Sequence, residues 1–374
     1  MKNQTDRSIT ILKALGGAPA TPFREDCCRT VISEVLNSKG IEHSQDAYGN
    51  ILARNQGNSL DVPPIAFVAH MDHPGFELTE ADGSKGLARS LGGIPIAALT
   101  KPTPVVVINP DSTRVNATAF PHNSTDPTNR RSERIVTIEM DHCIDAQLPL
   151  SVVFDLPDFE LDGEIIRMRA LDDLAGCAAV LTVLERTAGE TTGDVYGVFT
   201  CAEEEGLLGA RLLAEKGSLP TETIIISVEA SSLLPGVKLG GGPVIRVGDA
   251  MSTFDASAER VLMTAVDSLR ERDKDFKFQR RLMYGGVCEA TAFKQFGYSV
   301  TGAAFPLGNY HNSTTYIDDP NGSVGAEFIN LNDFLNGVEL LTETSKSVCD
   351  ALSLQQGKWI DPVPDNLRQR LMKA

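Results

Sequence analysis

Short apolar runs alternate with amphipathic stretches along much of this chain. Pro64 to Ala69 (PIAFVA) is nearly continuous in apolar character, as expected of a strand buried on both faces. Val195 to Thr200, Thr223 to Val228 and Ser299 to Phe305 read the same way. Around them lie helical patterns: Arg24 to Ser38, with Val31, Ile32, Val35 and Leu36 in one stripe, then Leu174 to Arg186, Ala258 to Arg270 and Glu289 to Gln295. This alternation predicts an α/β fold, a mainly parallel sheet flanked by helices.

The stretch from about Pro74 to Gly163 is different. It carries short alternating runs (PTPVVVI, RIVTIEMD, LPLSVVF) and no convincing helix, which predicts a small all-β domain inserted into the α/β one. The expected division is 1–73 with 164–374 as the α/β domain and 74–163 as the insert. Within the insert, Asn109 to Glu133 is polar and turn-rich, and a long mobile loop is expected there. A long helix is expected over Ala326 to Ser345. The tail from Gly357, with Trp359, Pro362 and Pro364, has the character of a docking segment for the body or a neighbour.

Composition narrows the function classes. At 374 residues, two domains are expected. A net charge of −16 argues against nucleic-acid binding, which needs a basic face. No run approaches the ~18 apolar residues of a membrane span, and the opening residues lack the apolar core of a secretory signal; the expected location is cytoplasmic. The seven cysteines show no CxxC spacing, so neither a disulfide framework nor a thiolate zinc site is expected. Cys177, Cys201 and Cys288 read as small buried core residues.

The chemistry sits at strand ends. His70 and Asp72 follow the first buried strand, Asp172 and Asp173 open a helix, and Glu203, Glu204 and Glu205 follow the strand ending at Thr200. Glu229 ends another apolar strand, and His311 lies just past the one ending near Phe305. Sites in open parallel sheets form outside the carboxyl ends of the strands, so five segments bring imidazole or carboxylate to one edge. Two divalent ions ~3.5–4 Å apart need about five such ligands, one carboxylate bridging, and these donors suit zinc, with cobalt or manganese as alternatives. An acid adjacent to a ligand, as Glu203 is to Glu204, is free to act as general base.

Segments in order along nearly the whole chain carry a family resemblance: AYGNI near Asn50, AHMDHPGF from Ala69, RALDDLAGCA from Arg169, AEEEGLLGA from Ala202, VKLGGGPVI from Val237 and GGVCEA from Gly285. The sequence resembles the co-catalytic zinc aminopeptidases that include the tetrahedral, deblocking and glutamyl aminopeptidases. The resemblance implies that Asp172 bridges two metals, that His70 and Glu229 complete one site, and that Glu204 and His311 complete the other. It further implies Glu203 as general base toward a metal-bridging water, Asp72 orienting His70, and a cis peptide between Asp172 and Asp173. A barrel-like domain between His70 and Asp172, peptide substrates and a homo-oligomer, from dimer to dodecamer, are implied as well. His73 stands where the family usually has an acid, Leu174 where it has Arg, and Glu229 where it mostly has Asp. His73 is open to two readings, pocket wall or surface residue.

Two rivals remain at this stage. An aminoacylase-like or carboxypeptidase-like amidohydrolase would carry its extra domain after the glutamate pair, but the interval from Glu229 to His311 is already needed for sheet and helices. A non-catalytic assembly protein on the same scaffold would have lost ligands or base, and none is missing.

Overall fold

The computed structural model describes residues 2–123, 125–129, 133–355 and 362–372. Among these, strands form an eight-stranded sheet, a three-stranded sheet and a closed six-stranded barrel. The large sheet runs, edge to edge, Glu42–Gln45, Ile51–Asn55, Val195–Thr200, Ile65–His70, Ile224–Ser232, Ser299–Leu307, Val244–Arg246, Gln279–Arg281. Its four central strands are mutually parallel, so their carboxyl ends share one edge.

The two-residue period of a strand explains the layering. Ile65, Phe67 and Ala69 point into one core with the helices Asp26–Ser38, Leu174–Thr187, Ala256–Arg272 and Leu331–Lys346. Ala66 and Val68 point into another, with Leu208–Lys216 and Glu289–Gln295. The helix Leu174–Thr187 is buried nearly all round because the helix Lys2–Gly16 covers its outer side with Ile11, Leu12 and Leu15.

The barrel lies between the first central strand and the helix Leu174–Thr187 in sequence. Its strands are Gly75–Asp82, Lys85–Leu91, Thr103–Ile108, Arg114–Pro121, Ile135–Met140 and Leu150–Phe154. Alternate residues (Leu78, Val105, Val107, Val136, Ile138, Val152) fill it, with Phe76 edge-on to Phe154 at 5.8 Å between ring centroids. Closure leaves no free strand edge.

Four local expectations differ from the structure. Residues Glu327–Asn330 are a strand paired with Ile165–Met168, and the helix begins only at Leu331, where Asn330 accepts from the N–H groups of Asn332 and Asp333. The segment 109–133 is not one loop: Arg114–Pro121 is a barrel strand whose inward positions, Val115, Ala117 and Ala119, are too small to stand out as an apolar stripe. The insert also holds one short helix, Ile96–Thr100. Of the tail, Trp359 lies outside the described residues, and the helix Asp365–Met372 buries no residue, so the described part does not dock on the body.

Candidate active site and metal centre

Each candidate residue arrives at the sheet edge by a separate route. His70 ends its strand, and its Nδ1 lies 2.9 Å from the backbone carbonyl of Asp72. His311 follows the strand Ser299–Leu307, and its Nδ1 lies 3.1 Å from the carbonyl of Gly93. With Nδ1–H donated in both rings, each Nε2 offers its lone pair to the centre. Asp172 and Asp173 are joined by a cis peptide. Asp173 turns away and caps the helix Leu174–Thr187, accepting from the N–H of Gly176 at 3.0 Å.

Three groups of potential ligands result among the described residues: His70 with Asp172 and Glu229, Asp172 with Glu204 and His311, and His70 with Glu203 and Glu204, the donor atoms of each within 4.8 Å of one another. Asp172 is common to the first two. Its Oδ1 lies 3.3 Å from His70 Nε2, and its Oδ2 lies 3.9 Å from His311 Nε2. Glu204 Oε1 is 3.1 Å from His311 Nε2, and Glu203 Oε2 stands 3.9 Å from His70 Nε2.

Such a cluster is unstable as bare charge. Burial pushes Asp172 up to about 6, an effect His70 partly offsets. Burial also pushes Glu203 well above the usual carboxylate range; His70 opposes it, and Glu204 and Glu229 add to it. Burial lowers His311, but Glu204 and Asp172 outweigh it and carry the ring to about 9. The donor set fits divalent cations: two imidazoles that a cation would take in place of their second proton, carboxylates and one shared acid, with Asp172 Oδ1 buried and without a hydrogen-bond partner.

Beyond the cluster opens a cavity of about 460 Å³, onto which Glu203, Glu204 and Glu229 face, with Leu207, Met251, Val287 and Tyr310 among its walls. Tyr310 stacks on the His311 ring, centroids 3.8 Å apart. A narrower cleft adjoins it, lined by Glu229, Ser232, Gly286, Tyr310 and Arg246. Arg246 is buried, its Nη1 lies 3.9 Å from Glu229 Oε1, and its Nε and Nη1 have no hydrogen-bond partner.

Asp72 faces His70 at two points: its main-chain carbonyl lies 2.9 Å from Nδ1, and its carboxylate Oδ1 stands 3.7 Å from the same nitrogen. The carboxylate accepts from the N–H groups of Glu203 (3.0 Å) and Glu204 (3.2 Å). His73 is neither surface residue nor cavity wall. It is buried, accepting from Ala20 N–H at Nε2 (3.3 Å), with Nδ1 3.1 Å from the Pro74 carbonyl.

Sequence reading passed over Glu327, whose Oε2 accepts from the N–H groups of Leu171 (2.7 Å) and Asp172 (3.0 Å) while Oε1 accepts from that of His311 (3.0 Å). It ties both ligand-bearing loops together. Arg246 was passed over too, although a cation ending an apolar strand is the same signal that drew attention to Glu229.

Known proteins share this architecture. A curated relative from Acetivibrio thermocellus, named as an aminopeptidase, is 25% identical over 348 residues, covering 89% of this chain and 97% of its own. The FrvX protein of Escherichia coli K12, similarly named, is 26% identical over 65% of this chain and 72% of its own. Among solved structures, an aminopeptidase of Desulfurococcus kamchatkensis superposes with a TM-score of 0.74 at 22% identity, covering 96% of this chain and 99% of that one. The TET1 peptidase of Pyrococcus horikoshii superposes with a TM-score of 0.73 at 24% identity, covering 91% and 99%. A family model described as M42 glutamyl aminopeptidase matches residues 49–321. With that match spanning most of the chain, and a shared fold around a buried His and carboxylate cluster, the protein belongs to the M42 glutamyl aminopeptidase family and is a peptidase of the aminopeptidase type.

Proposed function

We propose that this chain removes N-terminal residues from peptides with the help of two divalent cations, zinc first among the candidates. One would be held by His70, Asp172 and Glu229, the other by Asp172, Glu204 and His311. The observation that carries the reading is the sharing of Asp172 by two ligand groups, with the Glu203 carboxylate beside them 3.9 Å from His70 Nε2. Bound there, the ions would polarise the scissile carbonyl and acidify the attacking water.

The side chains supply the rest. Glu203, whose Oε2 stands 3.9 Å from His70 Nε2, removes the proton from the attacking water and returns it to the departing amine. The half-buried walls Leu207 and Val287 give the cavity an apolar surface for a substrate side chain. Arg246, buried with unpartnered donors beside Glu229, would receive a carboxylate on the substrate and favour an acidic residue at the peptide N-terminus.

The proposal extends to a catalytic domain of residues 1–73 and 164–374, an inserted domain of 74–163 and a homo-oligomer, a state between dimer and dodecamer. The Pyrococcus horikoshii relative assembles into a tetrahedron or a large octahedral shell. A cytoplasmic location is proposed with them; among the described residues no helix is long and apolar enough to cross a membrane.

Glu203→Gln tests the base. The variant should bind zinc as the unaltered protein does and lose roughly 10²–10⁴-fold in kcat on aminoacyl 4-nitroanilides. Near-normal turnover would remove Glu203 from the role.

A further inference from the structure

The loop that presents Glu203 has an unusual backbone. Ala202, immediately before it, has φ of +48°, a left-handed conformation disfavoured for any residue with a Cβ. Something must hold it there.

Four successive N–H groups in this loop donate to side chains from distant segments. Cys201 donates to Asn50 Oδ1 at 3.0 Å, and Glu203 and Glu204 donate to Asp72, as described. Ala202 donates to Glu25 Oε1, also at 3.0 Å. Glu25 directly precedes the helix Asp26–Ser38, where an acid commonly caps its own helix, yet its side chain makes no such bond. It turns to the Glu203 loop instead. Oε1 accepts from both Phe23 and Ala202, and Oε2 lies 3.3 Å from Arg29 Nη1. The same guanidinium nitrogen stands 3.3 Å from Cys201 Sγ, so Arg29 braces both partners.

Glu25 is only 2% exposed. Burying a carboxylate is costly unless it is hydrogen-bonded and paired; here the N–H groups of Phe23 and Ala202 supply the hydrogen bonds and Arg29 the opposite charge. It lines a recess with Arg29 and Tyr48, separate from the substrate cavity, so it acts through the loop rather than on the substrate.

We propose that Glu25 is a positioning residue for peptide hydrolysis: its bond to Ala202 N–H holds the left-handed turn that aims the Glu203 carboxylate. The inference rests on Glu203 being the base. A misplacement of about 1 Å at such a group can lower turnover ~10²-fold.

The test compares four variants, zinc-loaded, on whichever of L-glutamyl- and L-leucyl-4-nitroanilide the unaltered enzyme cleaves. Glu25→Ala should lose roughly 30- to 100-fold in kcat, with KM within about 2-fold and zinc content unchanged. Glu25→Gln, whose amide oxygen still accepts from both N–H groups but whose amide nitrogen faces the Arg29 donor, should retain at least about 5-fold more kcat than Glu25→Ala. Glu25→Asp keeps the charge beside Arg29 but is one methylene short of Ala202; it should fall like Glu25→Ala, and it decides the matter if Glu25→Ala does not fold. Adding Ala202→Gly to Glu25→Ala should recover at least about 5-fold, because glycine takes positive φ without strain.

Full kcat in folded Glu25→Ala or Glu25→Asp would overturn the proposal. So would Glu25→Gln as impaired as Glu25→Ala, or no recovery in the double variant. The two readings separate cleanly: turnover retained in Glu203→Gln sinks the base assignment, whereas a dead Glu203→Gln beside a fully active Glu25→Ala sinks only the positioning role.

Discussion

His73 shows what one buried imidazole does to the protein's acid stability. Burial, assisted by the charge of Arg169, lowers its pKa to about 4 from 6.5. An imidazole with Nε2 accepting and Nδ1–H donating has no place for a second proton. Below pH 6.5 the unfolded chain therefore binds a proton that the folded one refuses. Stability from this residue is complete above pH 6.5 and is lost as pH falls toward 4, on the order of 3 kcal/mol in all. Urea titrations of His73→Gln from pH 7 to 4 should show a shallower decline than the unaltered protein; parallel declines would show that His73 is not the sensor. Arg246 makes a second residue-scale prediction. Arg246→Met keeps the stem but deletes the fork, and should cut the kcat/KM ratio of glutamyl to leucyl substrates at least about 10-fold. An unchanged ratio would assign Arg246 to charge balance with Glu229 alone.

At the scale of elements, the barrel reaches into the centre through Gly93. A Cβ there would lie 2.1 Å from His311 Nδ1, the atom that the Gly93 carbonyl itself engages. Gly93→Ala should leave the barrel folded and push the His311 ring aside. Affinity at the Asp172, Glu204 and His311 site should fall roughly 10–100-fold, as when a partner that orients a ligand is lost. Equilibrium dialysis would then show one tight zinc equivalent instead of two, and two tight equivalents would refute the coupling. Glu327 does comparable work from the three-stranded sheet, joining the backbone of Leu171 and Asp172 to that of His311.

On the scale of the whole molecule, the proposed cation sites at the sheet edge would make cation binding and folding one equilibrium. Asp172, Glu203 and their neighbours are buried against one another, and a bound ion removes their mutual repulsion. A ligand at 100 times its Kd adds ~2.7 kcal/mol per site. Chelation should therefore lower Tm by several degrees, and zinc should restore it where calcium, a poor match for imidazole, does not. A Tm indifferent to chelator would argue against both metal sites.

Much of this architecture is written in local periodicity. The strand Ile65–His70 and the helix Leu174–Thr187 advertise their burial by apolar runs, and a parallel sheet then sends His70, Glu204, Glu229 and His311 to one edge. Chain order and residue chemistry gathered imidazoles and carboxylates at that edge, because such a group ending an apolar strand is costly without a partner, and the family resemblance singled out five of them as metal-ligand candidates. The hydrogen-bonding duties of Asp72, His73, Glu25 and Glu327 leave no such trace. Their partners lie far away in sequence, Ala202 for Glu25 and Leu171 for Glu327, and one acid in an amphipathic stretch resembles any other until the chain has folded. Arg114–Pro121 hid its strand behind small inward residues, and Glu327–Asn330 read as helix until Ile165–Met168 paired with it. Periodicity records which face of an element is buried; only folding brings together the donors and acceptors that meet there.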